Sequence, residues 1–120
     1  MRPDDRIRLQ HMVEAVEAVH HVIENRTRQD LNSDLTLRLA IVRAIEILGE
    51  AASRVSTETR SAASAIPWAA LVGMRNRLTH AYFEIDYDIV WRTATTEIPA
   101  LLPSLHEALN RLGNDAPGSS

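Results

Sequence analysis

The spacing of apolar residues in two long segments, residues 4–25 and 32–55, most constrains how this chain can fold. In each segment apolar side chains recur every three or four residues, which places them on one face of an α-helix. The first series is Leu9, Met12, Val16, Val19 and Ile23. The second is Leu37, Ile41, Ile45, Leu48 and Ala52, widened by Leu35, Leu39, Val42 and Val55. We therefore predict two long amphipathic helices, with the more apolar second helix at the centre of the fold.

Capping residues and a connector mark where these helices begin and end. Asp4 or Asp5 is expected to cap the first helix, and an acid there also suits its positive end. The second helix is expected to open near residues 32–34. Residues 56–65 are rich in Ser, Thr and Ala, which indicates a connector with up to two helical turns. Pro67 favours the first turn of a helix, so a third helix is predicted from Pro67 to residue 81 or 82.

A fourth helical segment is predicted from residue 86 to Leu112. Asp86 and Asp88 are interpreted as its capping residues, and Pro99 and Pro103 are expected to kink or split it. Short connections favour antiparallel neighbours, so we predict an all-α, up-and-down bundle of four main helices. Residues 1–112 would form this single domain, and residues 113–120 a disordered tail.

Composition narrows the function classes. The chain contains no cysteine, which excludes disulfides and thiolate chemistry and favours a reducing cytoplasm. We find neither an apolar run of membrane-spanning length nor a secretory signal, so a soluble protein is expected. The formal charge is −3, and all 13 cationic side chains are Arg. An acidic balance argues against a broad DNA-binding surface but leaves room for a small site built from a few arginines.

The third predicted helix holds the richest polar chemistry of the chain. Two guanidiniums, an amide, an imidazole and a phenol occur within eight residues, from Arg75, Asn76, Arg77, His80 and Tyr82. The helical repeat directs Leu71, Met74, Leu78 and Tyr82 toward the core, and Ala69, Gly73, Asn76 and His80 along a second stripe. The small members of that stripe would allow another helix to approach. We therefore expect a helix–helix contact, and a homodimer would place two such stripes face to face.

Spacing alone leaves a second interpretation open. A polar cluster on a helix is often a solvated face or an interfacial hydrogen-bond network, and a single His80 would suit a structural role. Arg75 and His80 are also about 140° apart around an ideal helix. Their convergence is easier in a dimer groove, with an extended Arg side chain, or where the helix loosens near its end.

Residues 75–82 resemble the R-x4-H-x-Y motif of the HepT toxins, within the broader R-x4-6-H signature of HEPN ribonucleases. The surrounding sequence is similar as well, at residues 40–50, 66–68, 73–74, 82–83 and 86–91. The resemblance covers nearly the whole chain except the tail. It implies a HEPN-like helical bundle that forms a homodimer, with a metal-independent RNA-cleaving site where the paired motifs meet.

The resemblance also implies a role for each motif residue. RNA carries its own nucleophile, the 2′-hydroxyl, so the protein needs only to move protons and stabilise charge. His80 would act as general base or acid, and Arg75 would bind the scissile phosphate. Asn76 would orient the phosphate or His80, whereas Arg77 either contacts flanking phosphates or faces solvent. The products would carry a 2′,3′-cyclic phosphate and a 5′-hydroxyl.

Relatives of this kind are paired with an MntA-like minimal nucleotidyltransferase that serves as antitoxin. The resemblance implies AMP transfer to Tyr82, although Tyr82 could also be an aromatic residue at the edge of the core. The chain would then be the ribonuclease toxin of a toxin–antitoxin pair. The alternative is a non-catalytic module that binds a nucleotide or docks onto the nucleotidyltransferase.

No metal and no cofactor are predicted. His20 and His21 are adjacent and diverge on a helix, and with Glu17 and Glu24 they indicate a solvated face rather than ligands. Gly49 and Glu50 suggest a close helix contact beside a buried or groove-lining acid, and Glu50 is not assigned a catalytic role.

Overall fold

A computed structural model describes the backbone of residues 3–80 and 85–115 and the side chains of residues 4–78 and 85–112. The helices are α1 (Pro3–Ile23), α2 (Asp30–Ser33), α3 (Leu35–Arg54), α4 (Thr57–Ala62), α5 (Trp68–His80), α6 (Tyr87–Arg92) and α7 (Leu102–Asp115). The described ranges contain no strand, so the all-α prediction is confirmed. α3 packs between α1 and α5, and α7 packs on α1, which confirms the central position predicted for the second long segment.

The predicted apolar stripes form the core. Leu9, Met12, Val16 and Val19 of α1 are buried, as are Leu37, Ile41, Ile45, Leu48 and Ala52 of α3. Val55 is also buried, and Val42 packs against the core. The prediction was wrong for Leu35 and Leu39, which are 57% and 61% exposed. Each lies two residues from Leu37, about 160° around the helix, and therefore faces away from the core.

Asp5 ties the start of α1 to the segment after α3. Its carboxylate accepts hydrogen bonds from the Ser56 backbone N–H at 2.9 Å and from the Ser56 and Thr59 hydroxyls, each at 2.6 Å. This contact joins opposite ends of α1 and α3, so the two helices run antiparallel. Asp4 and Asp5 occupy the first turn of α1, as predicted for acids. Their predicted role as caps was wrong, because the helix already begins at Pro3.

Side chains and a proline set the boundaries of α3 and α5. Asp34 caps α3 by accepting a 3.1 Å bond from the Leu37 N–H, and this bond together with the charge of Arg26 lowers the pKa of Asp34. The predicted connector contains the short helix α4, capped by Ser56. Pro67 immediately precedes α5 rather than occupying its first turn. The Trp68 indole N–H donates to the Ala63 carbonyl at 3.1 Å and fixes the corner between α4 and α5.

The C-terminal segment is split as predicted. Between α6 and α7 lie a π-helical turn, Thr93–Glu97, and a 3-10 turn, Pro99–Leu101. Pro99 cannot donate a backbone hydrogen bond, so the α-helical pattern stops before it. Pro103 is the second residue of α7, where a missing N–H costs nothing.

Asp86 caps α6 by accepting bonds from the backbone N–H groups of Asp88 and Ile89, which confirms its predicted role. Asp88 is not a cap, because its carboxylate pairs with Arg28 at 2.6 Å. α7 ends at Asp115, three residues past the predicted domain boundary, and the remainder of the predicted tail lies outside the described residues. None of the helices in the described ranges is long and apolar enough to span a bilayer.

Candidate active site

α5 is anchored by the face that the sequence predicted to point inward. Of the predicted inward residues, Leu78 is buried and Leu71 and Met74 pack against the core. Trp68, which was not assigned to this face, is buried as well. Tyr82, the fourth member of that predicted face, lies outside the described residues. Anchoring at both ends and in the middle fixes the rotation of α5, and hence the direction in which Arg75 and Asn76 leave the helix.

Gly49 brings α3 and α5 into close contact. A Cβ atom added at Gly49 would lie 2.3 Å from the Cβ of Arg75 and 2.7 Å from the carbonyl oxygen of Leu71. No side chain fits into that space without displacing the α5 backbone. The predicted close helix contact is therefore confirmed, and it places the next residue, Glu50, beside Arg75.

The Arg75 guanidinium is held from two sides. Its Nη2 donates to Oε2 of Glu50, and its Nη1 donates to Oδ1 of Asn76 at 2.8 Å. Oε1 of Glu50 accepts from Nε of Arg54 at 2.9 Å. These four side chains form one polar chain that crosses from α3 to α5. Because a guanidinium has five N–H donors and these bonds use two, donors remain available for an anion.

Glu50 stays ionised at neutral pH. The hydrogen bond from Arg54 and the positive charges of Arg75 and Arg54 lower the pKa of Glu50 below its ordinary 4.5, against the opposing effect of partial desolvation. A lowered pKa means that the carboxylate contributes stability above its unfolded-state pKa, and that this contribution is lost as the pH falls through the folded-state value. Glu50 is thus a fixed negative charge that positions Arg75, and its lowered pKa does not suit a proton donor.

The structure brings some of the predicted site residues together and separates another. Arg75 and Asn76 are in contact. Arg77 is exposed and lines a cavity of about 240 Å³ together with apolar residues of α5 and α6. Neither Arg75 nor Asn76 lines this cavity. α5 remains α-helical up to His80, so loosening of the helix, one of the three ways in which Arg75 and His80 could converge, is not seen before that residue. The position of the His80 side chain, like all of Tyr82, lies outside the described part.

The second stripe of α5 is open. Ala69 and Asn76 are exposed, and a Cβ atom added at Gly73 would meet no described atom within 4 Å. Among the described residues of the protomer, Ala69, Gly73 and Asn76 are therefore accessible to another chain, and the close contact made by Gly49 has no counterpart at Gly73.

The remaining sequence candidates stay on the surface. Glu17, His20 and His21 are exposed on α1, and Glu24 is exposed immediately after its end. Sequence analysis noted Glu50 as a groove-lining acid but did not identify it as the partner of Arg75. The available signal was the Gly49–Glu50 pair itself, because a glycine that permits close helix contact places its neighbour against the facing helix.

The two glycines give a test of this geometry. We expect Gly49→Ala to lower the free energy of unfolding by about 1–3 kcal/mol, the usual cost of overpacking. Gly73→Ala, in open space, is expected to raise the stability of the protomer by up to about 1 kcal/mol, because alanine favours helix more than glycine does. Urea unfolding over a range of protein concentrations would separate unfolding of the protomer from dissociation of a dimer. Equal effects of the two substitutions would contradict the close contact at Gly49.

Comparison with known proteins identifies the relatives of this chain. The sequence matches the family described as "Ribonuclease HepT-like" over residues 12–112. A protein named "Putative RNase" from Caldanaerobacter subterraneus subsp. tengcongensis is 35% identical over 103 residues, which are 86% of this chain and 92% of the relative. A "Probable ribonuclease HepT" from Thermococcus cleftensis is 32% identical, over 78% of this chain and 84% of the relative. A "Putative RNase" from Methanocaldococcus jannaschii is 33% identical, over 75% of this chain and 85% of the relative. No solved structure matches the chain.

Proposed function

Because this chain belongs to the HepT-like ribonuclease family, we propose that it is a metal-independent endoribonuclease and the toxin of a toxin–antitoxin pair. The observation that carries the proposal is the Arg75 guanidinium, which Glu50 and Asn76 hold at the partly exposed edge of α5, in the same motif as His80. A positioned cation beside a general base is sufficient for cleavage of RNA, since the substrate supplies its own nucleophile.

The proposed reaction is an internal transesterification. The base removes the proton of the 2′-hydroxyl, the 2′-oxygen forms a bond to phosphorus, and the bond from phosphorus to the 5′-oxygen breaks. A proton then passes to the 5′-oxygen, which leaves as a hydroxyl, and the other product carries a 2′,3′-cyclic phosphate. His80 is proposed to transfer the proton, and Arg75 to stabilise the additional negative charge on the phosphoryl oxygens.

The test is cleavage of tRNA and mRNA by the purified protein in EDTA, after phosphodiesterase treatment to remove any attached nucleotide. Cleavage that resists EDTA and yields cyclic phosphate ends would support the assignment. Absence of cleavage by a clean, folded protein would contradict it.

We propose that the active unit is a homodimer in which the open stripe of α5 faces its two-fold copy. A two-fold axis would bring two Arg75 and two His80 residues to one groove. Arg75 of one protomer could then act with His80 of its partner, although the two side chains diverge on a single helix.

Gly73 offers a direct test of the dimer. We expect Gly73→Arg to leave the helical content unchanged, because the protomer has open space there, and to convert dimer into monomer. Sedimentation velocity would measure the change. Asn110 is exposed on α7, so Asn110→Arg adds the same charge elsewhere on the surface and is expected to leave the dimer intact. A Gly73→Arg protein that remains fully dimeric would contradict the proposed interface.

Neutralisation is proposed to occur by AMP transfer to Tyr82 from an MntA-like nucleotidyltransferase. The phenolic oxygen would attack the α-phosphorus of ATP, the bond to the β-phosphate would break, and pyrophosphate would leave with the phenolic proton passing to solvent. The attached phosphate would add negative charge beside Arg75 and His80 in the motif and compete with RNA.

Tyr82→Phe tests whether Tyr82 is the residue that receives AMP. After incubation with the nucleotidyltransferase and ATP, we expect intact-mass measurement to show addition of AMP to the unsubstituted protein and none to Tyr82→Phe. Modification should abolish RNA cleavage, whereas Tyr82→Phe should resist inactivation. Equal AMP incorporation in both proteins would place the modified residue elsewhere.

A non-catalytic module that docks onto the nucleotidyltransferase is the second candidate. It is favoured by the ion pair between Arg75 and Glu50, which also suits a structural arginine, and by the net charge of −3. The cleavage assay in EDTA separates the two, because a docking module would bind the partner and leave RNA intact.

A further inference from the structure

Basic side chains line a second cavity that shares Glu50 with the candidate site. A shallow cavity of about 120 Å³ between α1 and α3 is lined by Arg8 and His11 of α1 and by Arg43, Ile47, Glu50 and Ala51 of α3. Glu50 both lines this cavity and binds Arg75. The cavity and the candidate active site therefore have one side chain, Glu50, in common.

The charge of this cavity is suited to an anion. Glu50 is the one acid among the described residues that line it, and its carboxylate is already bonded to Arg54 and Arg75. Within the described part of the chain, Arg8 and Arg43 form no ion pair. Two guanidiniums thus remain uncompensated in a protein whose overall charge is −3, which concentrates positive potential at this point.

We propose that Arg8, His11 and Arg43 form a subsite for two neighbouring backbone phosphates of the RNA strand, a few nucleotides from the phosphate proposed to bind Arg75. The inference rests on the proposed ribonuclease function. Guanidinium groups can bind phosphate oxygens bidentately, and the side chain of Ile47, which is 39% exposed, gives the sugar an apolar face to pack against. Arg43 and Glu50 are seven residues apart, about 10 Å along the helix axis. A nucleic-acid strand covers that distance in roughly three nucleotides at the stacked rise.

Binding of a strand that cannot be cleaved tests the subsite separately from catalysis. The probe is a fluorescent 2′-O-methyl RNA of about 12 nucleotides, which keeps its phosphates but lacks the nucleophile. Fluorescence anisotropy would give Kd over a series of salt concentrations for the unsubstituted protein and for Arg8→Gln/Arg43→Gln. The matched control is Arg6→Gln/Arg92→Gln, which removes the same charge from exposed positions outside the cavity.

We expect the Arg8→Gln/Arg43→Gln protein to bind about tenfold more weakly at moderate salt. The slope of log K against log salt should become shallower by about 1.4, or about 0.7 for each lost phosphate contact on a single strand. Arg43 is exposed, so Arg43→Gln alone preserves the fold and should reduce the slope by about 0.7. The control pair should change Kd by less than about twofold and leave the slope unaltered, since it removes no phosphate contact.

Equal losses for the two pairs, or an unchanged slope in folded Arg43→Gln, would overturn the subsite. Cleavage of ordinary RNA by the unsubstituted protein decides the proposed function independently. Protein that binds the 2′-O-methyl strand through Arg8 and Arg43 but cleaves no RNA would refute the ribonuclease and keep the subsite. Protein that cleaves RNA with no contribution from these arginines would refute the subsite alone.

Discussion

Replacing His80 by alanine is expected to lower the rate of RNA cleavage by roughly 10²–10⁴-fold, the usual contribution of general acid–base catalysis. The proposed reaction needs one proton removed from the 2′-hydroxyl and another delivered to the 5′-oxygen. Within the motif, His80 carries the side chain that can do both near neutral pH, whereas Arg75 remains protonated and Asn76 does not ionise. The measurement is the single-turnover cleavage rate of a defined RNA in EDTA.

His106→Ala is the matched control for His80→Ala. It removes an imidazole from an exposed position on α7, away from the motif, and is expected to retain full activity. RNA binding by His80→Ala should change much less than its cleavage rate, since proton transfer contributes in the transition state more than in the bound ground state. If His80→Ala cleaved RNA as fast as the unsubstituted protein, its assignment as the general base would be refuted.

The fold was largely predictable because helix periodicity is a local property of the sequence. The spacing of Leu37, Ile41 and Ile45 predicts both a helix and its buried face. Periodicity did not predict the exposure of Leu35 and Leu39, because apolar residues also occur on the solvent-facing side of a helix. The short helix α2 and the π-helical turn were not predicted. Four or five residues carry too little periodic signal for such elements.

The residues of the candidate site could be proposed from the sequence, whereas the contacts between them depend on how the helices pack. The motif residues Arg75 and Asn76 were identified on α5, and the structure places them in contact. The bond between Arg75 and Glu50 spans 25 positions, so it depends on how α3 packs against α5 rather than on any local pattern. Arg77 shows the reverse, since its place within the motif does not bring it to the same side of the helix as Arg75.

Arg75→Ala is expected to reduce the cleavage rate about 10²–10³-fold, the magnitude found when one preorganised donor to a developing negative charge is removed. Glu50 holds this guanidinium in place before substrate binds, so little reorientation is needed when charge develops on the phosphate. Arg75→Lys should recover only part of the loss, because an ammonium group lacks the planar fork that binds Glu50 and Asn76 and is proposed to bind a phosphate at the same time. Rates and RNA affinities measured in parallel would show whether the loss lies in catalysis or in binding.

Arg54→Ala is the control for Arg75→Ala, because both arginines bind the Glu50 carboxylate. It removes the same charge and also breaks a bond to Glu50, yet Arg54 lies on α3 outside the motif. We expect Arg54→Ala to retain activity to within about tenfold, because Glu50 keeps Arg75 as its partner and surface ion pairs contribute little energy. The cleavage rate of Glu50→Gln should lie between the rates of Arg54→Ala and Arg75→Ala, and its RNA affinity should be unchanged. If Arg54→Ala and Arg75→Ala lost activity equally, the pair would serve the stability of the α3–α5 contact, and Arg75 would have no special part in the chemistry.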